Sequence, residues 1–505
     1  MEADKPLIPR APYACRNLAG NEWRVPAGAD ESGGVVEVAS PYTNTIVSRV
    51  PRSGPREVDR IVAAARDAAP AWAATPMKER AQILLKYRAI LERDVDLLAH
   101  ACAVEAGKTV AEGRAEVLKG IEVLEFACSL QNGVDGHGGV LEVSRGVTCE
   151  YRREPLGVVA GIVPFNFPVM VPMWMFPIAI AVGNAFVLKP SEKVPTGACL
   201  LAERFLEAGL PPGIFSIVHG ARETVDALIS HPDVQAIAFV GSSAVAKHVY
   251  VTGTSLGKRV LALGGAKNHL IVVPDADRAV TIPGVVDSFT GCAGQRCMAA
   301  SVLLAVGDAQ SIVDDVVARA RSIKLGVGMG AMIDSGAIDR ISAAISRAES
   351  EGAKVLLDGR KPKLAEGAPA EYATGNWLGP TILDHVKPGS EAAMRELFGP
   401  LLSIVRVASL AEALAIENAN PYGNACSVFT TSGAVAQHVA ERARAGMIGI
   451  NVGVPVPREP FSFGGINDSR FGVGDITGPS AVEFWTQTKK ITRKWSLQRD
   501  GNWMS

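Results

Sequence analysis

Gly157-Val158-Val159-Ala160-Gly161-Ile162-Val163-Pro164-Phe165-Asn166-Phe167-Pro168 opens the stretch that decides the fold. Apolar residues 158–163 end at a proline turn, and the same grammar then repeats. Residues 185–188 are apolar and end at Lys189-Pro190, residues 215–218 lead to His219-Gly220, and residues 236–240 lead to Gly241-Ser242. A helical stretch, 196–207, lies between the second and third and closes near Gly209. Short apolar strands alternating with helices predict a parallel sheet with helices on its faces. A second α/β block begins near Gly264, with strands predicted over 270–273 and 401–407 and helices over 309–324 and 339–351.

Upstream of this core the pattern is helical. Stretches 56–74 and 77–103 carry apolar residues at three- and four-residue steps, and Val117, Ile121, Leu124 and Cys128 predict a third helix. Residues 140–153 read as extended. Residues 481–494 alternate again, Val482, Phe484, Thr486 and Thr488 against Glu483, Trp485 and Gln487. This predicts a strand pairing with an edge such as 140–153, in the same subunit or a neighbour. Residues 155–188 hold no charge and are long enough to span a bilayer. Pro164, Pro168, Pro172 and Pro177 interrupt them, so a buried strand, loop and helix are expected instead.

With 505 residues, two or three domains are expected. The net charge of −1 implies no basic face, which argues against nucleic acid as a partner. Residues 1–20 lack both the apolar core of a secretion signal and the basic character of a transit peptide, which predicts a cytoplasmic protein. None of the eight cysteines forms a CxxC pair, and no Cys/His set has zinc spacing, so reduced thiols and no metal are expected.

Four short motifs carry chemistry. In Gly291-Cys292-Ala293-Gly294-Gln295-Arg296-Cys297-Met298, either thiol could be activated by a neighbouring cation or by backbone N–H groups. Asn166, in a Pro-rich loop after a buried strand, suits a turn or helix cap, or a donor to a developing oxyanion. Lys189-Pro190-Ser191-Glu192-Lys193 stands beyond a strand end, where open α/β sheets bind ligands; a solvated loop is the plainer reading. Phe239-Val240-Gly241-Ser242-Ser243 runs from a strand into a helix, whose first N–H groups could receive a pyrophosphate. The GxGxxG fingerprint is absent.

Taken together, PFNFP at 164–168, KPSE at 189–192, FVGS at 239–242, GQRC at 294–297 and ELFGP at 396–400 resemble the aldehyde dehydrogenase family over nearly the whole chain. The resemblance implies an α/β fold in three parts. These are a Rossmann-like NAD-binding domain over 1–138 and 155–263, a catalytic domain over 264–475, and a small β oligomerisation ribbon with tail over 139–154 and 476–505. It also implies a homodimer or homotetramer. Cys297 is then the nucleophile and Asn166 the oxyanion donor. Val163, Phe165, Lys189, Glu192, Lys193, Ser242, Gly264, Glu396 and Phe398 would hold NAD. Glu192 would repel a 2′-phosphate and so favour NAD over NADP.

Ordinary members hydrolyse the acyl-enzyme with a Glu that opens an E-L-G-G-K pattern. Here the region reads Leu263-Gly264-Gly265-Ala266-Lys267-Asn268-His269, with Leu in that place. Leu cannot take a proton from water. The region resembles the methylmalonate-semialdehyde dehydrogenase branch, which implies acyl transfer to coenzyme A after oxidation of a small carboxylated aldehyde, with loss of CO2. Arg296 either grips the substrate carboxylate or faces away in an ion pair. Lys119 stands where the branch carries a second Arg, and as a Lys it lacks the bidentate fork; a solvated surface Lys is the competing reading. Ala331-Met332-Ile333-Asp334 and Arg458-Glu459 also depart from the branch. Two alternatives remain: a hydrolytic dehydrogenase that needs no coenzyme A and acts on another acidic aldehyde, and a non-catalytic structural family member.

Overall fold

The computed structural model describes residues 12–26, 34–132 and 138–495. The reading of the chain's first residues falls largely outside them.

Two parallel sheets organise the chain. The first has eight strands, and its five central ones are parallel: Val158–Ile162, Ala185–Lys189, Phe215–Ile217, Val234–Val240 and Arg259–Leu263. Strand Val158–Ile162 lies between Ala185–Lys189 on one side and Val234–Val240 on the other. The winding direction therefore reverses beside it, and a crevice opens there at the carboxyl ends of the strands. All five residues of Val158–Ile162 and of Ala185–Lys189 are buried, which is why neither shows polar alternation. Antiparallel Asn17–Ala19 and Arg470–Phe471 extend the two sides of this parallel core.

The second sheet has seven strands centred on Ala300–Val306, Asn268–Val272 and Leu401–Val407. Helices Gln310–Arg321 and Ser335–Ser350 follow the predicted positions within a few residues.

The charge-free segment 155–188 is core. Its helix Met170–Ala181 is buried at every position, although it contains Pro172 and Pro177. Asn184 satisfies its surroundings on both faces. Its Oδ1 accepts the Leu156 and Gly157 N–H groups at 2.7 and 3.1 Å, and its Nδ2 donates to the Ala179 and Trp485 carbonyls at 3.0 and 2.9 Å. Among the described residues, no helix is long and apolar enough to cross a membrane.

Two elements differ from the sequence reading. The 77–103 stretch is two helices, Met77–Arg93 and Val95–Ala106, parted at Asp94, where the backbone leaves helical angles (φ −104°, ψ 15°) and the carboxylate accepts the Arg204 Nε–H at 2.9 Å. The 481–494 stretch is not one strand. Pro at the start of Gly478–Trp485 seeds a helix, and the alternation serves a strand only over Thr486–Lys494. That strand pairs antiparallel with Val147–Pro155, which pairs in turn with Gly138–Ser144, so the ribbon closes within one chain.

All eight cysteines are free thiols. The fold nevertheless gathers Cys15, Cys199 and His219, which the sequence keeps far apart.

Candidate active site

Beyond the crevice of the first sheet lies a cleft of about 780 Å3. Val163, Phe165, Lys189, Glu192, Lys193, Ser242, Gly264, Glu396 and Phe398 all line it, with Asn166 and Cys297 at one end. The strand ends deliver most of these residues. Lys189 closes its strand and pairs with Glu192 at 3.0 Å. The pair holds the Glu192 carboxylate on the cleft wall, where it can accept hydroxyl groups. Ser242 precedes helix Ser243–Ser255 and makes no side-chain cap bond, so the helix presents its first N–H groups and the positive end of its dipole to the cleft. These groups suit a dinucleotide: a carboxylate to accept from ribose hydroxyls, an uncapped helix end to donate to pyrophosphate.

A second cavity, of about 690 Å3, holds Lys119, Arg296 and Arg458 on its wall. Cys297 and Phe167 belong to both cavities. A single half-buried thiol therefore stands where the two spaces meet.

The backbone ahead of that thiol is tightly specified. Cys292 and Ala293 adopt φ of 51° and 52°, and Gly294 follows at 69°. A side chain at Gly294 would meet the Gly399 carbonyl oxygen at 2.1 Å, so the turn requires glycine. Glu112 caps its own helix in a reciprocal capping box with Thr109 and also accepts the Cys292 N–H at 2.6 Å. The Cys297 carbonyl takes bonds from Asn268 Nδ2 at 2.8 Å and Asn424 Nδ2 at 3.1 Å. Cys292, the rival thiol, is 6 % exposed and lines only the second cavity.

Asn166 is 6 % exposed, and its amide donates to the Gln295 carbonyl at 3.0 Å. Lys108 Nζ supports its loop by donating to the Asn166 carbonyl at 2.7 Å and to Glu116 at 2.6 Å, while the Phe167 ring lies 4.1 Å away. Glu116 in turn accepts the Val169 and Met170 N–H groups at 2.8 and 3.0 Å. Lys108, Glu112, Glu116, Asn268 and Asn424 were not picked out from the sequence. Only the Thr109–Glu112 spacing, a capping-box pattern, could have pointed to any of them.

Burial pushes the Cys297 thiol up to about 12, and the Glu396 charge adds to this; backbone N–H groups and Arg296 oppose it. Burial also raises Glu396, to about 7, against the Ala266 N–H and Lys267. Gly265 has no room for a side chain, because a Cβ would fall 2.3 Å from a Glu396 oxygen.

The two expected substrate cations differ. Arg296 has no carboxylate partner among the described residues. It donates to the Asp287 carbonyl and, at 3.4 Å, to that of Ser288, while its buried Nε–H has no acceptor. The ion-pair reading of Arg296 is thereby removed. Lys119 is not a solvated surface residue: its side chain is 13 % exposed and its ammonium is bound by Glu122 at 2.8 Å and the Pro457 carbonyl at 2.9 Å. Arg458 shares Glu122 at 2.8 Å. Leu263 is buried in the apolar core at its strand end and offers no proton acceptor.

This fold and cleft are those of a known class, for the aldehyde dehydrogenase family model matches residues 29–491, and the chain belongs to that family. Within it, the malonate-semialdehyde dehydrogenase 1 of Geobacillus thermodenitrificans is 42% identical over 487 residues, covering 95% of this chain and 98% of the relative. The mitochondrial acylating methylmalonate-semialdehyde/malonate-semialdehyde dehydrogenase of Rattus norvegicus is 40% identical, covering 91% of this chain and 86% of the relative. The crystal structure of methylmalonate-semialdehyde dehydrogenase from Oceanimonas doudoroffii superimposes with a TM-score of 0.91 at 37% identity, covering 96% of this chain and 99% of that one. A Sinorhizobium meliloti 1021 structure complexed with NAD gives 0.93 at 36% identity, covering 98% and 100%.

Proposed function

We propose that this chain oxidises malonate or methylmalonate semialdehyde with NAD and passes the acyl group from Cys297 to coenzyme A. The observation that carries the reading is the position of Cys297, on the shared wall of a dinucleotide-shaped cleft and a cation-lined cavity. An aldehyde in that cavity presents its carbon to the sulfur, and its carboxylate faces the Arg296 side chain, which lines the same cavity and has no carboxylate partner among the described residues. Thiolate attack gives a thiohemiacetal oxyanion, which the Asn166 amide and the Cys297 backbone N–H stabilise. NAD, held by Lys189, Glu192, Ser242, Glu396 and the other cleft residues, supplies the hydride acceptor. Loss of hydride leaves an acyl thioester on Cys297.

Leu263 leaves the thioester without the usual base, so water attacks it slowly and the thiolate of coenzyme A becomes the acceptor. The thioester carbonyl takes up the electron pair released as the β-carboxylate departs as CO2, and the resulting enolate takes a proton from solvent at its α-carbon, giving the acetyl or propionyl group that is transferred. The ribbon 138–155 with 486–494 serves assembly into a homodimer or homotetramer, and the enzyme works in the cytoplasm.

The test is NADH formation from each semialdehyde with and without coenzyme A. One equivalent of NADH per active site without coenzyme A, and sustained turnover only with it, is expected; sustained turnover without it overturns the acyl-transfer step. A second reading, hydrolysis, draws on Glu396, which shares the cleft with Cys297 and titrates near neutrality. Loss of coenzyme-A-free turnover on Glu396→Gln, with NAD still bound, would favour it.

A further inference from the structure

One group of reactive side chains has no part in this chemistry. Cys15 follows the edge strand Tyr13–Ala14, Cys199 lies on helix Thr196–Glu207, and His219 follows strand Phe215–Ile217. All three are 3 % exposed or less. Their donor atoms lie within 4.8 Å of one another, and Cys199 Sγ stands 3.4 Å from His219 Nε2. We propose that Cys15, Cys199 and His219 form a binding site for a zinc-class cation, distinct from the catalytic cleft.

Geometry favours this. A cation about 2.3 Å from sulfur and about 2.0 Å from nitrogen, at a tetrahedral angle, holds those two donors about 3.5 Å apart. The Cys199–His219 separation already matches, and Cys15 needs to close by at most about 1 Å to reach the sulfur–sulfur spacing of such a site. Three converging donors leave the fourth tetrahedral position to a water.

Charge favours it as well. On binding, both thiols release their protons to solvent, and two thiolates with a divalent cation make a neutral unit, so no net charge is buried. Glu105 is fixed nearby by Ser48 at 2.6 Å and the Thr196 N–H at 2.9 Å. The His219 ring has only the sulfur as a side-chain partner among the described residues, and its buried Nδ1 has none.

The test uses the full-length enzyme carrying Cys297→Ser, so that the catalytic thiol cannot bind the probe. After chelation under reducing, oxygen-free conditions, cobalt(II) is added. One equivalent per chain should develop sulfur-to-cobalt charge-transfer absorption, bleached by zinc(II). Adding Cys15→Ser or Cys199→Ser should each remove most of that absorption, with the circular dichroism of the folded protein retained. Persistence of the bands in the variant lacking both thiols, or no band in the parent, overturns the proposal. Should the added substitutions unfold the protein, zinc-edge X-ray absorption of the Cys297→Ser parent reads the ligand shell directly. Two sulfurs and one imidazole support the site, and any other shell refutes it.

Discussion

The Asn166 side-chain amide is bonded to the Gln295 carbonyl, 3.0 Å away and two residues before Cys297. That bond uses one of the two amide N–H groups and fixes the amide plane, leaving the second N–H for charge that develops on a substrate oxygen. Asn166→Ala should therefore lower kcat by about 10²–10³-fold. Steady-state NADH formation reads this directly. A change confined to KM would mean the amide binds substrate without stabilising the transition state.

Burial holds the proton on the Cys297 thiol, and the charge of Glu396, which shares the cleft, adds to this. With the thiol near 12, alkylation of the free enzyme should rise about tenfold per pH unit from 7 to 10 with no plateau, because only the thiolate reacts. Glu396→Gln removes the opposing charge and should shift this profile to lower pH. Saturating NAD should act in the same direction through its cationic ring. Iodoacetamide inactivation rates at several pH values measure all three cases. A profile unmoved by Glu396→Gln would mean that the charge does not reach the sulfur.

The sequence discloses the sheets and the cleft because both have local signatures. Strands buried on both faces read as short apolar runs, and the ligand-facing residues come immediately after them, at 163–166, 189–193 and 242. The supports of the site were not legible for the opposite reason. Glu112 reaches Cys292 and Lys108 reaches Asn166 across long stretches of chain, so each bond exists only once helices from the first quarter of the sequence pack on the later loops. The helix–strand boundary at 485/486 was lost to a different cause. Residues 481–485 lie in a helix that leaves Glu483 exposed and residues 486–494 form an edge strand, yet Val482, Phe484, Thr486 and Thr488 fall on alternate positions across the boundary, so a period of two runs through it.

The Lys108–Glu116 pair is 2 % and 0 % exposed at its side chains, and burial of Lys108 is offset mainly by the Glu116 charge. Removing one partner strands the other in the core. Lys108→Met and Glu116→Gln should each cost about 3–5 kcal/mol, and the double variant less than their sum. Urea unfolding measures this. Strict additivity would mean that the two groups act independently.

Arg296 lines the cavity that reaches Cys297 and has no carboxylate partner among the described residues. Arg296→Leu should raise KM for a carboxylated semialdehyde by about 10–100-fold, the range of one lost charge-assisted hydrogen bond, with little effect on propanal. The ratio of the two effects is the readout. Equal losses on both substrates would assign Arg296 to holding the 287–297 backbone rather than to recognising a carboxylate.

Leu263→Glu tests why the acyl-enzyme waits for coenzyme A. The position is 4 % exposed, one residue before Gly264 on the cleft wall. A carboxyl group placed there is desolvated, so its proton affinity rises toward the neutral range where a general base is most useful. The variant should lose stability, because a buried apolar side chain is replaced by a polar one. In exchange it should gain coenzyme-A-independent turnover that increases with pH as the new group ionises. Pre-steady-state NADH traces separate the outcomes: the single-equivalent burst should give way to a linear phase without coenzyme A. A burst that still stops at one equivalent, in protein that remains folded and binds NAD, would place the block to hydrolysis in the shape of the acyl pocket rather than in the missing base.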